Sequence, residues 1–342
     1  MARQPLVTLG VVAYNEEEYL AELLEDIRIQ SYPKNRIELL LIDSMSDDQT
    51  YAIMEDFAAC HAAQFADIRL LKNPGKRQAA GWNVAIREFS GDLLVRVDAH
   101  ARLGSDFVEQ TVACLQSGEK VCGGRRPNLI LDETPWKRTL LMAEQSLFGS
   151  SFARYRSSDK RCYVKSAFHT AYLREVLQKV GGFNESLGRT EDNEFHYRVH
   201  KAGYRICYEP KIESYQYIRP RLHRILRQKA GNGYWVARTL FYCPRCISLF
   251  HLVPFAFVMA ILATTLLATL ADWWLPLWML WSAYALFAIG NTVLSVRSYR
   301  KFSPLQLVLP LLFLLLHLSY GLGSVLGFLS APFGRKRGGR SA

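Results

Sequence analysis

The chain has 342 residues, with 42 Lys and Arg against 31 Asp and Glu and a formal net charge of +11. That length exceeds one typical domain. The surplus charge does not read as nucleic-acid binding, because the bases are mixed with acids early and gather at 211–245, beside an apolar part, which suits an anionic membrane surface. Zinc-finger spacing, a helix-turn-helix cue and an RNA-binding signature are all missing from the sequence, so no nucleic-acid partner is expected. The seven Cys are scattered, and Cys243-Pro-Arg-Cys246 has no second pair to complete a zinc site, so it reads as interfacial thiols. An odd Cys count with several in expected core strands fits a reducing compartment. Residues 1–5 carry no apolar run, so no signal peptide is expected and the polar part is expected in the cytoplasm.

In chain order, Leu6–Ala13 is a β-rich run ending in Tyr14-Asn15-Glu16-Glu17. Helical periodicity follows over Glu17–Gln30, with Leu20, Leu23, Leu24 and Ile27 on one face. Ile37–Ile42 is a second apolar run, closed by Asp43-Ser44-Met45-Ser46-Asp47-Asp48 ahead of a helix over Thr50–Cys60. Ile68–Leu71 is a short third strand, and a helix runs from about Arg77 to Phe89 after the Asn73-Pro74-Gly75-Lys76 turn. The next strand, Leu93–Asp98, follows a Gly-Asp turn and ends abruptly in Asp98-Ala99-His100. Strands alternating with helices through short connections predict a doubly wound, mainly parallel α/β sheet. Ligands of such sheets bind beyond the carboxyl ends of the strands, where Asp43, Asp98 and the end of the first strand would lie together. Asp98 and His100, two apart, can offer a hard oxygen and an imidazole to a divalent cation such as Mn²⁺. A strand-ending Asp that merely caps a turn, beside an exposed His, is an equal alternative on these residues alone.

Val12-Ala13-Tyr14-Asn15-Glu16, Leu41-Ile42-Asp43-Ser44-Met45-Ser46-Asp47, Val97-Asp98-Ala99-His100 and Gly188-Arg189-Thr190-Glu191-Asp192 occur in that order. Together they resemble the family-2 glycosyltransferases of the GT-A fold, over roughly the first two-thirds of the chain. The Asp-Ala-His variant, with Gln228-Lys229-Ala230-Gly231-Asn232-Gly233, is similar to the branch holding succinoglycan-type exopolysaccharide glucosyltransferases. The resemblance implies a GT-A-like sheet, an inverting sugar transfer, a UDP-sugar donor and a divalent cation, Mn or Mg.

Beyond Asp98, Ser105–Ser117 reads as helix, Val121–Arg125 as strand and Trp136–Phe148 as helix. Arg154–Lys165 is basic and weakly patterned, and is expected to be a loop over the site. Val180–Glu185 resembles the family's Gly-Gly-Phe-Asp-Glu turn, Glu191–Ala202 is a helix and Arg205–Tyr208 a final strand. Basic and aromatic residues over Arg219–Arg245 predict a pair of interfacial helices. Ile247–Ala271, Trp273–Val296 and Leu305–Ala331 each reach the ~20 residues that cross a hydrocarbon core. The Ala271-Asp272 link lacks bases and is expected outside, whereas Arg297, Arg300 and Lys301 place the second link inside. Three crossings would leave Arg335-Lys336-Arg337 outside, against that rule, so Leu305–Ala331, with Pro310, Gly321, Gly323 and Gly327, is an alternative re-entrant hairpin. The expected organisation is a transferase domain over 1–215, interfacial helices over 216–246, a membrane region over 247–331 and a basic tail over 332–342.

Glycosyl transfer needs a base pocket, neutralised diphosphate, a deprotonated acceptor and excluded water. By the resemblance, Asp43 accepts from the uracil N–H, and its alternative is a simple cap. Ala13, Tyr14 and Glu16 match the family's first nucleotide contact, although Glu16 also suits a helix dipole. Lys76 and Arg77 stand at a helix start where a phosphate or donor hydroxyl would be held, with a solvated basic face equally open. Asp98 is the leading metal candidate. His100, which departs from the commoner Asp-x-Asp, is a second ligand or a direct diphosphate partner. His169 and His196 could also approach the site, although one His on a helix is more often structural than ligating. Asp192 is the proposed general base, at a helix start that Thr190 would cap, and Glu191 orients the site or binds acceptor. Gln228 and Trp235 stand where processive synthases carry Gln-x-x-Arg-Trp, and the missing Arg-Trp argues against processive polymerisation. Trp235 then stacks on a sugar or anchors at the membrane interface.

The reading is a membrane-attached inverting transferase. It moves one sugar from a UDP-sugar, glucose first, to a lipid-linked saccharide at the cytoplasmic face of a bacterial inner membrane. A polyprenyl-phosphate sugar synthase is the nearest rival. A membrane scaffold with a degenerate transferase domain is a rival of another class, opposed by the intact acidic set.

Overall fold

A computed structural model describes residues 4–130, 133–146, 148, 159–217, 221–299 and 302–334. The chain divides into two compact units, residues 1–129 with 154–217, and residues 130–153 with 218–342.

The first unit is built on one sheet. Its elements are β1 (Val7–Ala13), α1 (Leu20–Arg28), β2 (Ile37–Asp43), α2 (Thr50–His61), β3 (Asp67–Lys72), α3 (Gln78–Glu88) and β4 (Leu93–Asp98). They continue as β5 (Ala101–Leu103), α4 (Phe107–Gln116), β6 (Val121–Arg125) and β7 (Asn128–Leu129). After α5 (Pro135–Gln145), which belongs to the second unit, come β8 (Cys162–Val164), β9 (Ala171–Leu173), α6 (Arg174–Val180), α7 (Glu191–Lys201) and β10 (Ile206–Tyr217). The strand order is β3-β2-β1-β4-β9-β6-β10-β5, with β7 and β8 also paired to β10.

The expected parallel set is present, since β3, β2, β1 and β4 run parallel. β2 is buried along its whole length, because helices cover both faces of the sheet. Alternation sorts the side chains. Leu39, Leu41, Val95 and Val97 meet α1 and α4 residues such as Leu23, Ile27 and Phe107. Leu40, Ile42 and Leu94 meet Trp82 of α3 and Phe195 of α7. Past β4 the sheet is mixed, because β9 lies antiparallel between β4 and β6. Sequence periodicity does not reveal β5, β8 and β9, whose three residues are too short for a pattern to repeat. β8 replaces part of the loop expected over Arg154–Lys165, and residues 154–158 of that stretch, including Arg154 and Arg156, lie outside the described residues. β10 is 12 residues long, far beyond Arg205–Tyr208, and ties together β5, β6, β7 and β8.

The second unit holds α5, α8 (Leu222–Thr239), α9 (Val253–Ala271), α10 (Leu275–Ser298) and α11 (Leu309–Gly334). Leu249–Leu270, Leu275–Ser298 and Pro304–Ser330 are long and apolar enough to cross a membrane. Two expectations change here. The basic stretch forms one helix, α8, followed only by 3-10 turns, because Pro244 interrupts any second helix. α11 is continuous rather than a hairpin. Pro310 occupies its first turn, where a missing N–H costs nothing. Its glycines are packing sites: a Cβ at Gly323 would lie 2.0 Å from the Ala230 carbonyl oxygen, and one at Gly327 would lie 2.3 Å from that of Tyr234. α8 and α11 therefore meet backbone to backbone through small residues, as helices in lipid do. Lys229 of α8 is buried in this unit, with Nζ 3.3 Å from Glu144 Oε1 of α5. Arg300, Lys301 and Arg335–Arg337, on which the sidedness expectation leaned, lie outside the described residues, as do Arg219 and Leu147.

Candidate active site

The order β3-β2-β1-β4 reverses direction at β1, since the chain builds outward to β3 and returns to β4 on the other side. The crevice at such a switch point is where open sheets bind ligands. Register brings the predicted residues to it: Asp43 pairs with Ala13, and Asp98 pairs with Val12. The loops that follow β1 and β2 are stitched together. Asn15, held at a left-handed φ of 54°, receives Asp47 N–H on Oδ1 at 2.9 Å and donates its own N–H to Ser46 Oγ at 3.1 Å. Glu16 N–H donates to Thr50 Oγ1 at 2.8 Å.

A cavity of about 310 Å³ opens beside these loops, lined by Asp43, Met45, Ser46, Asp47, Tyr51, Lys72 and Lys76. Asp43 is buried and accepts from Ser46 N–H at 3.1 Å, so it shapes its own turn as well as facing the cavity. Tyr14 is exposed. Lys76 is exposed at a left-handed φ of 55°, and Arg77, the residue before α3, donates from Nη1 to the Glu185 carbonyl at 2.8 Å.

Among the described residues, the polar contacts of Asp98 are long. Gln78 Nε2 lies 3.4 Å from Oδ1, and His169 Nε2 and Arg126 Nη1 lie 3.5 and 3.8 Å from Oδ2. Burial works to raise its pKa, but the bond with His169 and the neighbouring His169, His100 and Arg126 outweigh it, holding the carboxyl well below the usual range. His100 is engaged elsewhere. Its Nδ1 lies 3.2 Å from Glu16 Oε1, and its Nε2 meets Gln216 Nε2 at 2.7 Å. Glu16, expected at the nucleotide, is therefore the neighbour of His100. Among the described residues no three His, Cys, Asp or Glu side chains gather as a metal site.

Asp192 is held tightly. Its Oδ1 accepts from Arg96 Nη1 at 2.6 Å. Arg96 shares the β4 face of Leu94 and Asp98, and its guanidinium lies over the rings of Trp82 and Phe183, 4.5 and 4.7 Å from their centroids. Burial works to lower the Arg96 pKa, and the charge and hydrogen bond of Asp192, with Tyr172 and Asp98 nearby, together outweigh it, so its charge is secure. Asp192 and Glu191 open α7, where the helix dipole favours anions. Thr190 is the N-cap residue but makes no side-chain capping bond, contrary to expectation. Glu191 is buried. Desolvation first, and the Asp192 charge second, push its pKa up to about 7. His196 does not reach the site, because it is buried between Ser166 Oγ at 2.8 Å and Tyr172 Oη at 2.7 Å.

The first unit thus brings Ala13, Asp43, Asp98, His100, Glu16, Glu191 and Asp192 to one end of its sheet. Gln228 and Trp235 stand on α8 in the second unit, Gln228 exposed and Trp235 packed edge-on against Tyr234 at 5.6 Å. Sequence reasoning missed Arg96 and Arg126. The signal for Arg96 was a lone charge inside an apolar strand, two residues before Asp98 and so on its face.

Comparison with known proteins agrees with this geometry. The profile of the family described as Glycosyl transferase family 2 matches residues 8–181. The dolichyl N-acetyl-alpha-D-glucosaminyl phosphate 3-beta-D-2,3-diacetamido-2,3-dideoxy-beta-D-glucuronosyltransferase of Methanococcus voltae is 24% identical over 326 residues, 92% of this chain and 95% of that protein. Succinoglycan biosynthesis protein ExoA of Rhizobium meliloti is 27% identical over 64% of this chain and 65% of its own length. The mannosyltransferase PcManGT from Pyrobaculum calidifontis, in complex with GDP-Man and Mn²⁺, superposes with a TM-score of 0.63 at 19% identity, covering 98% of this chain and 89% of that one. The shared fold is the GT-A-like one expected.

Proposed function

Since this chain belongs to glycosyl transferase family 2, we propose that it moves one sugar, with inversion, from a UDP-sugar to a lipid-linked saccharide at the cytoplasmic face of a bacterial inner membrane. UDP-glucose is the first-choice donor, and exopolysaccharide or surface-glycan assembly is the setting. One observation carries this reading: Asp98 and the Arg96-held Asp192 share one end of the sheet with the Asp43 cavity. The name of the Methanococcus relative describes transfer to a dolichyl-phosphate-linked sugar, and that of the Rhizobium relative describes succinoglycan biosynthesis. Both support a lipid-linked or exopolysaccharide context here. The three apolar helices support attachment to a membrane.

The chain's own groups divide the work. Asp43 and the cavity beside it hold the base, with Ala13 and Tyr14, at the end of β1, as further nucleotide contacts. Lys76 and Arg77 meet donor phosphate or hydroxyl groups. Arg96 fixes one oxygen of Asp192, leaving the other to take the proton of the acceptor hydroxyl as that oxygen attacks the anomeric carbon opposite the diphosphate. One displacement of that kind inverts the centre, and it rests on orientation and a single proton transfer. Glu191, protonated for part of the time near neutral pH, orients the acceptor. A divalent cation held at Asp98, whose contacts are all long, would offset the charge of the leaving diphosphate. Gln228 and Trp235 serve acceptor binding.

The test is incubation of the full chain in membranes with UDP-glucose, UDP-N-acetylglucosamine or GDP-mannose and extracted lipid-linked saccharides, followed by mass analysis. A lipid-linked saccharide heavier by one hexose with UDP-glucose supports the proposal. Growth only on bare polyprenyl phosphate, or no lipid product with any donor, overturns it.

A further inference from the structure

The three apolar helices of the second unit are not packed alike. Within its most apolar stretch α11 is 33% buried inside the unit, against 11% for the α9 span and 6% for α10. α9 and α10 form a hairpin closed at Asp272, the only Asp, Glu, Lys or Arg between Ile247 and Val296. Its legs expose Leu262, Leu266, Leu270, Trp278 and Met279. With 19 and 24 residues they reach about 28 and 36 Å, enough for a hydrocarbon core of ~30 Å. The first half of α11 meets α10, with His317 Nδ1 3.0 Å from Tyr284 Oη and Phe313 in one cluster with Ala288. Its second half meets the first turn of α9. A Cβ at Gly321 would lie 2.4 Å from the Pro254 carbonyl oxygen, and the Phe328 and Phe255 rings are 4.8 Å apart. The helix therefore passes from one leg to the other, at the end of the hairpin far from Asp272, instead of following either leg to the tip.

We infer that α11 lies in the membrane interface, across the base of a two-helix hairpin, and does not cross. The C-terminus is then on the membrane face from which the chain enters α8. This rests on the membrane attachment proposed above and not on the sugar transferred. The partner helix α8 decides it. Ala230 and Tyr234 of α8 meet Gly323 and Gly327 at one constant offset, so the two helices run side by side in the same direction. Arg227, roughly 4–5 Å along the axis before Ala230, is thereby level with the middle of α11, which spans Leu309–Gly334. Arg224, Arg227 and Gln228 are all exposed. No Asp or Glu stands between Glu213 and Asp272 to neutralise them, and Glu144 of α5 is taken up by Lys229. A crossing α11 would carry Arg227 to the bilayer centre, where an exposed charge is costly. In the interface the same arginines meet anionic lipid headgroups, while Leu322, Leu326 and Leu329, exposed on one face of α11, dip into the acyl chains. Two crossings also return Arg335-Lys336-Arg337 to the side that basic residues favour.

The test is labelling of the full chain with a membrane-impermeant maleimide, in bacterial cells with an intact inner membrane and again after lysis. The parent, whose seven Cys all precede α9, should stay unlabelled in intact cells. Asp272→Cys should take up label in intact cells, and Trp273→Cys should do the same if the first variant folds poorly. Ser341→Cys should gain label over the parent only after lysis. Label on Ser341→Cys in intact cells would show a third crossing and overturn the inference. Asp272→Cys and Trp273→Cys both unlabelled in intact cells would remove the hairpin crossing and overturn it as well. Recovery of the chain from the soluble fraction would overturn the membrane attachment itself, an outcome distinct from the other two.

Discussion

Asp192 and Asp98 are both tied to the same face of β4, and the protein treats them differently. The first accepts a 2.6 Å bond from an arginine lying over two aromatic rings, whereas the hydrogen bonds and ion pairs of the second, among the described residues, are 3.4 Å or longer. A buried arginine is costly unless its charge is matched, so the Arg96–Asp192 pair is formed before any substrate arrives. The loose surroundings of Asp98 suit a group whose partners come with the donor. On the proposed reading, one corner of the site is preassembled for proton transfer and the other is left open for diphosphate.

Substitutions at the two corners sharpen this contrast. Asp98→Asn should lower transfer by about 10²–10³-fold, the scale of losing one electrostatic stabiliser of the transition state, and excess Mn²⁺ should restore little. Near-parental rates in a saturating-donor assay would remove Asp98 from the chemistry. Arg96→Met should cost about 10–100-fold in kcat, because Asp192 loses the partner that orients its carboxylate. Arg96→Lys should recover only part of the loss, since an ammonium does not reproduce the planar stack. A kcat unchanged in Arg96→Met would reduce Arg96 to packing alone. Glu191→Gln, which imitates the protonated acid, should stay within about tenfold of the parent; a deeper loss would exchange the roles of the two acids.

The smallest expected effect concerns stability. Burial depresses His196 from 6.5 to about 4, so the folded state resists the proton that the unfolded chain binds. That stability is complete above pH 6.5 and is lost as pH falls toward 4, at up to about 1.4 kcal/mol per unit. Thermal melts over this window should flatten in His196→Gln, and an unchanged slope would point to other groups.

Much of this was legible in the sequence. The four parallel strands each carry an apolar run closed by a turn, and their ends name Asp43 and Asp98 directly. Asp192 was found through its motif. Arg96 escaped because its partner lies 96 residues away and nothing local records the pairing. The three-residue strands are too short to show a period. The glycines and proline of α11 leave a hairpin open as an alternative to a span, and only the fold shows that Gly323 and Gly327 pack on Ala230 and Tyr234 of α8.

The central claim is that Asp192 removes the acceptor proton. It is tested most directly by the transfer rate of Asp192→Asn, measured on a preparation whose UDP binding and melting temperature are recorded alongside, since the change leaves Arg96 without its counter-charge. The account predicts retained UDP binding with transfer reduced by about 10²–10⁴-fold. A folded, UDP-binding Asp192→Asn enzyme that transfers sugar at close to the parental rate would contradict it.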